Sequence, residues 1–173
     1  MKVILSMAIS LNGLIARENG EEDWLPSEGW QEFLDDAKKY NNIVMGRETY
    51  ELVQKLYRDY NFDSVETEQK VIVTKQCEYK TNDGYVIVHS PKESLEYLES
   101  KGMKEILLIG GGKLNSEFIK LGLVHELWIT ITPFILGKGR PFINPEDFDI
   151  PLELTSTEVL SKGRVKLIYK VAK

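Results

Sequence analysis

The stretch Ile106-Leu107-Leu108-Ile109-Gly110-Gly111-Gly112-Lys113 decides the architecture. Four consecutive large apolar residues with no polar alternation describe a strand buried on both faces, the habit of parallel sheets covered by helices. Three glycines then remove every Cβ from the turn, and a helix is predicted from Lys113 to about Lys120, where Gly122 breaks it. Such a turn aims backbone N–H groups and the positive end of a helix at whatever lies above it, which suits a phosphate. The alternative is a tight strand-to-helix turn with no ligand. The triplet has neither the G-x-G-x-x-G spacing nor the P-loop lysine-hydroxyl pair, so both readings stay open on these residues alone.

Working outward, the same alternation recurs. Val3 to Ser10 is a β-prone run closed by the turn signal Asn12-Gly13, and Leu14-Ile15-Ala16 resumes before a long exposed loop. A helix is predicted from Pro26-Ser27-Glu28, with Trp30, Phe33, Leu34, Ala37 and Tyr40 on one face and Asn41-Asn42 as its end. Ile43-Val44-Met45 is a short buried strand leading into Gly46-Arg47-Glu48-Thr49 and a helix that carries Tyr50, Val53, Leu56 and Tyr57. Arg58 to Gln69 is acidic and aperiodic and reads as a surface loop. Strands follow at Lys70–Thr74 and Tyr85–Val88, then a helix from Pro91 to Lys101. After the glycine turn, Glu126–Thr132 alternates as a strand, and Leu152–Val159 with Arg164–Val171 reads as a closing antiparallel pair. The predicted fold class is α/β, a mostly parallel central sheet flanked by helices with antiparallel C-terminal strands, formed by residues 1–173 as a single domain.

Composition excludes several functions. Lys and Arg number 22 against 27 Asp and Glu, a formal charge of -5 with the signs interspersed, so no basic face for nucleic acid is evident. No apolar run approaches the roughly 20 residues of a membrane span, and the N-terminus shows no cleavable signal, so a cytoplasmic location is expected. The lone cysteine, Cys77, allows no intrachain disulfide, and it has no histidine nearby to act as its base. His89 and His125 lack metal-ligand spacing, and no metal site is expected.

Ligands of such sheets bind at the carboxyl ends of the strands, and the special residues fall there. Gly46-Arg47-Glu48-Thr49 places a flexible residue, a guanidinium and a hydroxyl at a helix start, suited to anionic oxygens, although a solvated helix-start charge reads the same way. Thr74-Lys75 at a third strand end suits another phosphate or plain soluble surface. Glu28 is the candidate acid. It is either a capping charge or, if it faces a cleft beside Trp24 and Trp30, a desolvated carboxyl with a raised pKa suited to proton donation. Asp35 and Asp36 read as exposed helix residues.

The ordered series Ser10-Leu11-Asn12-Gly13-Leu14-Ile15-Ala16, Asp23-Trp24-Leu25-Pro26, Val44-Met45-Gly46-Arg47-Glu48-Thr49-Tyr50 and Ile109-Gly110-Gly111-Gly112 resembles dihydrofolate reductase. The later stretch Gly122 to Thr130, continuing through Pro133 to Leu136-Gly137, resembles the reductase domain of the bifunctional riboflavin-biosynthesis deaminase-reductases, which shares that fold. The resemblance implies a stand-alone NADPH-dependent reductase of a pterin- or pyrimidine-like heterocycle. It implies that Ala8 and Ile15 flank the nicotinamide, that Gly46, Arg47 and Thr49 with Gly110, Gly111, Gly112, Lys113 and Leu114 hold the pyrophosphate, and that Thr74 and Lys75 meet the adenosine 2′-phosphate. It also assigns Glu28 the catalytic carboxylate and Thr130 a hydrogen-bonded support of the substrate. A homodimer through the Trp128 strand and the C-terminal pair is implied too, with burial in the core as the equal alternative.

The departures are specific. Dihydrofolate reductases place a folate-clamping arginine where this chain has Thr67-Glu68-Gln69, and Asn115 replaces an aromatic after the glycine triplet. The arginine-rich ribose-phosphate signature of the riboflavin enzymes is absent from Glu51 to Asp59. They motivate a second reading, an NADPH-binding module with little or no catalytic activity, and a third, an interaction domain without nucleotide.

Overall fold

The computed structural model describes residues 1–57 and 61–172. Its centre is a sheet built outward from β1 (Lys2–Ser10), which pairs in parallel with β6 (Glu105–Leu108) on one side and β7 (Glu126–Thr132) on the other. Beyond β6 lie β3 (Asn42–Gly46), β4 (Gln69–Val73) and β5 (Tyr85–Val88), all parallel. Beyond β7 lie β10 (Val165–Val171) and β9 (Leu152–Val159), both antiparallel to their neighbours. A second, two-stranded sheet pairs β2 (Leu14–Ala16) with β8 (Arg140–Pro141), a contact that the sequence reading left as loop on both sides.

Strand side chains alternate between faces, and the apolar strands therefore feed two cores. Val3, Leu5, Val44, Val71, Ile106 and Leu108 pack with Leu98 of α3 (Pro91–Ser100) and Phe118 of α4 (Gly112–Lys120). Ile4, Ile43, Met45, Ile72 and Leu107 face the other way, onto Ala37 and Tyr40 of α1 (Glu28–Tyr40) and Tyr50 and Val53 of α2 (Arg47–Leu56). The helix after β3 thus covers one face and the helix after β6 the other. Because β3 and β6 are neighbours, the N-termini of α2 and α4 diverge there, and a crevice opens at the carboxyl ends of the strands.

Two details differ from the sequence expectation, and a third, at Trp128, falls on a reading left open there. Asn41 does end α1, in the left-handed region at φ 57° with its N–H donating to the carbonyl of Ala37, but Asn42 opens β3 and is fully buried. The expected surface loop begins at Arg58, and residues 58–60 lie outside the described residues. Within its remainder Phe62 and Val65 are only 5% and 3% exposed and pack under α2, so that segment is partly core. Trp128 packs edge-on against Tyr40 at 5.8 Å with Lys166 over its ring at 4.9 Å, and its strand is paired on both edges. The edge strand on this side of the sheet is β9, where Leu154 and Val159 are 55% and 79% exposed.

Asn42 explains how β3 and β6 stay joined through a single in-register pair, Val44 with Leu108. Its Nδ2 donates to the carbonyls of Tyr40 and Glu105, both at 2.8 Å, and its Oδ1 accepts from Leu107 N–H at 3.2 Å. Asn42→Leu leaves those buried backbone groups unpaired, each costing roughly 1–3 kcal/mol. The expected outcome is a loss of about 3 kcal/mol in urea-unfolding stability.

Candidate functional site

The crevice is a cavity of about 710 Å³. Ile15, Gly46, Arg47, Thr49, Thr74, Lys75, Gly111, Gly112, Lys113 and Leu114 line it, so residues singled out at four separate places in the chain come together on one wall system. Gly110 does not line it. Its carbonyl instead accepts from Gly46 N–H at 2.8 Å and ties the two strand ends together, and the Gly110–Gly111 peptide is cis. Glycine is required in this turn by space: a Cβ on Gly112 would stand 2.3 Å from the Pro141 carbonyl oxygen, and one on Gly111 2.9 Å from Thr49 Oγ1.

Cations gather around the cavity. Arg47 is held by Glu51 at 2.7 Å, and Lys113 donates to Glu48 at 2.8 Å, a hydrogen bond that keeps the Glu48 carboxyl below the usual carboxylate range. The Lys75 side chain is 85% exposed, its ammonium 3.8 Å from Glu117. Thr74 is buried, its hydroxyl accepting from Gln76 N–H. Arg140, supplied by β8, and His89, whose Nδ1 lies 2.9 Å from the Thr74 carbonyl, also line the cavity. Neither was flagged by sequence. Arg140 reaches the crevice only because β8 pairs with β2, a non-local contact with no local signal.

A second cavity of about 380 Å³ lies beside the first, on the α1 face of the sheet. Its floor is one row across three strands: Ala8, Thr130 and Lys166 are register partners on β1, β7 and β10. Trp30, Phe33, Tyr57 and Phe62 form aromatic walls. Ala8 and Thr130, assigned to different ligands by resemblance, therefore face the same space.

Glu28 does not line either cavity. Its carboxylate, 41% exposed, accepts from Lys162 Nζ at 2.9 Å, and that hydrogen bond holds its pKa below the ordinary value. This corrects the expectation of a desolvated acid beside Trp24 and Trp30, because the first turn of α1 points the side chain at the Lys162 turn rather than inward. The carboxyls that do face the second cavity are Glu22, Glu32 and Asp36. Glu32 grips Arg164, whose side chain is 1% exposed, through two hydrogen bonds of 2.8 and 2.9 Å. Asp36, expected at the surface, is four-fifths buried, with its carboxyl raised by burial and Lys166 at 3.7 Å. Asp35 is exposed and bonds Gln31. The signal that could have found the inner pair is the spacing Glu28, Glu32, Asp36, one acidic stripe at i, i+4, i+8.

Comparison with known proteins gives a consistent set of likenesses. The model of the RibD C-terminal domain family matches residues 1–166. The protein YyaP of Bacillus subtilis (strain 168) is 29% identical over 176 residues, covering 97% of this chain and 94% of that protein. A candidate riboflavin biosynthesis protein from Shewanella sp. PV-4 superposes with TM-score 0.82 at 22% identity over 100% of both chains. Dihydrofolate reductase from Enterococcus faecalis, complexed with NADP(H) and RAB-propyl, superposes with TM-score 0.73 at 18% identity, covering 99% of this chain and 97% of that one. The two structural likenesses establish a common fold.

The two acid positions separate experimentally. Removing Glu32 strands a buried guanidinium, and Glu32→Ala is expected to cost about 3 kcal/mol in chemical unfolding. Glu28→Gln, at an exposed pair, is expected to leave the unfolding midpoint at the wild-type value.

Proposed function

The chain belongs to the RibD C-terminal domain family, and from that membership and its two joined cavities we propose that it is an NADPH-dependent reductase of a small pterin- or pyrimidine-like heterocycle. The observation that carries this reading is the junction. Met7, Ile15, Thr49, Val53 and Ile109 line both cavities, so a ligand filling the larger space meets one filling the smaller space across an apolar seam.

The residues of the larger cavity fit the cofactor. The N-termini of α2 and α4 offer backbone N–H groups and partial positive charge to a diphosphate, with Arg47 and Lys113 beside them. Lys75 and Thr74 stand at the next strand end, where a 2′-phosphate would find an exposed ammonium paired to Glu117 at 3.8 Å. Ile15, in the seam, and Ala8, on the floor of the second cavity, offer apolar surface to a nicotinamide ring. When bound, that ring supplies the hydride, and the protein supplies orientation and electrostatics.

The smaller cavity suits a flat ring. Its aromatic walls sandwich a planar ligand, the Thr130 hydroxyl stands on the floor, and Asp36 and Lys166 present an acceptor and a donor side by side to a heterocycle edge. Closure of such a pocket over the seam excludes water from the reacting atoms.

Titration with NADPH and with NADH, followed by quenching of tryptophan fluorescence, tests the reading through Trp30 in the second cavity wall. NADPH is expected to bind at least about tenfold tighter, a difference of roughly 1.4 kcal/mol, and Lys75→Ala to narrow that gap while leaving NADH affinity unchanged. Binding of neither nucleotide would overturn the reading. NADPH binding with no oxidation across a panel of pterins and aminopyrimidines would leave a binding module in its place.

A further inference from the structure

One residue of the seam is ionisable. Glu22 lines both cavities at the place where Met7, Ile15, Thr49, Val53 and Ile109 also do, and none of those five can move a proton near neutral pH. We propose that Glu22 is the proton donor of the reduction, an inference that rests on the reductase reading above.

The loop that carries Glu22 is built to hold it in place. Arg17 N–H donates to the Glu21 carbonyl at 2.8 Å, Gly20 N–H to the Arg17 carbonyl at 2.9 Å, and Leu25 N–H to the Glu22 carbonyl at 2.9 Å. Glu22 N–H donates to the Tyr57 hydroxyl at 2.6 Å, which fastens the loop to the end of α2. Gly20 adopts φ 94° and lies so close to Leu52 that a Cβ would stand 2.9 Å from its methyl group, and Trp24 is buried against Phe134. Four hydrogen bonds and two packing contacts hold the loop from Arg17 to Leu25 in place and with it the backbone that carries Glu22.

Its surroundings favour the protonated form of that carboxyl. The charged neighbours are already committed: Arg17 to Asp23 at 2.6 Å in the same loop, Arg164 to Glu32 and Lys166 to Asp36 across the second cavity, Lys113 to Glu48 across the first. Arg140 donates to the Glu18 carbonyl, Arg47 bonds Glu51, and Glu21 is exposed. With no cation to hold the charged form among the described residues, burial alone pushes the Glu22 carboxyl up to about 7. Ligands in both cavities remove more water from it and raise it further.

The step balances. As the C=N or C=O carbon of the heterocycle accepts an electron pair with hydrogen, the Glu22 O–H bond breaks and an N–H or O–H bond forms on the adjacent heteroatom. The carboxylate then recovers a proton from water. The nicotinamide would be the two-electron reductant, and the heterocycle gains one hydride on carbon and one proton on the heteroatom, two electrons and two protons in all. Asp36 is less suited to this role, because it lines only the second cavity and lies beside an ammonium that favours its charged form.

The test is site-specific carboxyl titration by 13C NMR or infrared difference spectroscopy, comparing wild type with Glu22→Gln, without ligand and with saturating NADPH. Expected is a carboxyl signal, absent from Glu22→Gln, that titrates near pH 7 and moves upward with NADPH, while both proteins bind NADPH equally. With a substrate from the panel, Glu22→Gln is expected to lower kcat by about 10²–10⁴-fold with little change in KM, and to abolish a fall in rate above pH 7. A Glu22 carboxyl that titrates in the ordinary range, or turnover within twofold of wild type with the same pH profile, overturns the inference. Failure of wild type to bind NADPH overturns the functional reading instead, and the carboxyl titration is read without it.

Discussion

Two ion pairs between α1 and the chain at the start of β10, Glu32 with Arg164 and Asp36 with Lys166, line the second cavity, and they stand in register because two different repeats have nearly the same length. Four residues of helix advance about 6 Å, and two residues of strand about 6.6 Å. Glu32 and Asp36 therefore stand opposite Arg164 and Lys166, while Lys162, in the turn before them at φ 58°, meets Glu28 one turn earlier on the helix. The three pairs differ in exposure: Lys162 is 57% exposed, Arg164 1% and Lys166 21%. The outer pair works in high dielectric and contributes little, whereas the inner two neutralise charges that could not otherwise remain beside an aromatic-lined space. With the C-terminal strands held against the N-terminal helix, the row Ala8, Thr130, Lys166 becomes a floor instead of an open sheet face.

The first cavity has a different origin. It follows from topology, since α2 and α4 leave neighbouring strands toward opposite faces and no side chain is needed to hold them apart. What side chains and glycines do is tune the opening. Gly46 and Gly110 join the two strand ends by a backbone hydrogen bond, and the Gly111-Gly112 segment passes so close to Thr49 and Pro141 that any Cβ would close it. The first cavity is thus lined by paired cations and backbone dipoles, the second by rings and paired charges.

The fold was legible because its determinants are local. Unbroken apolar runs such as Ile106–Ile109, and turn residues at every strand end, announce a parallel sheet without knowledge of any contact. The first cavity was legible for the same reason, as its lining comes from strand ends. The second was not. Arg164 and Lys166 read as ordinary alternating polar residues of a terminal strand, and their meaning depends on a helix more than 120 positions earlier. Glu28 misled because its place two residues after Pro26 matched a family pattern, while Lys162, which draws it outward, sits in a turn the sequence does not connect to it. Glu22 carries no local mark at all, since its character comes from two cavities meeting there.

The segment before β4 bears on what the second cavity accepts. Where a folate-clamping arginine would stand, this chain uses its residues to brace the sheet: Glu68 N–H donates to the Asn41 side chain, and Gln69 accepts from the Tyr97 hydroxyl at 2.6 Å. Thr67, Glu68 and Gln69 do not line either cavity. The cations that do line the smaller one, Arg164 and Lys166, are matched by Glu32 and Asp36, so a carboxylate or phosphate tail entering it would have to displace an existing partner and leave a buried carboxyl uncompensated. For the proposed reductase, a cavity of about 380 Å³ with paired charges and ring-lined walls would favour a compact, uncharged heterocycle over one that carries an anionic appendage.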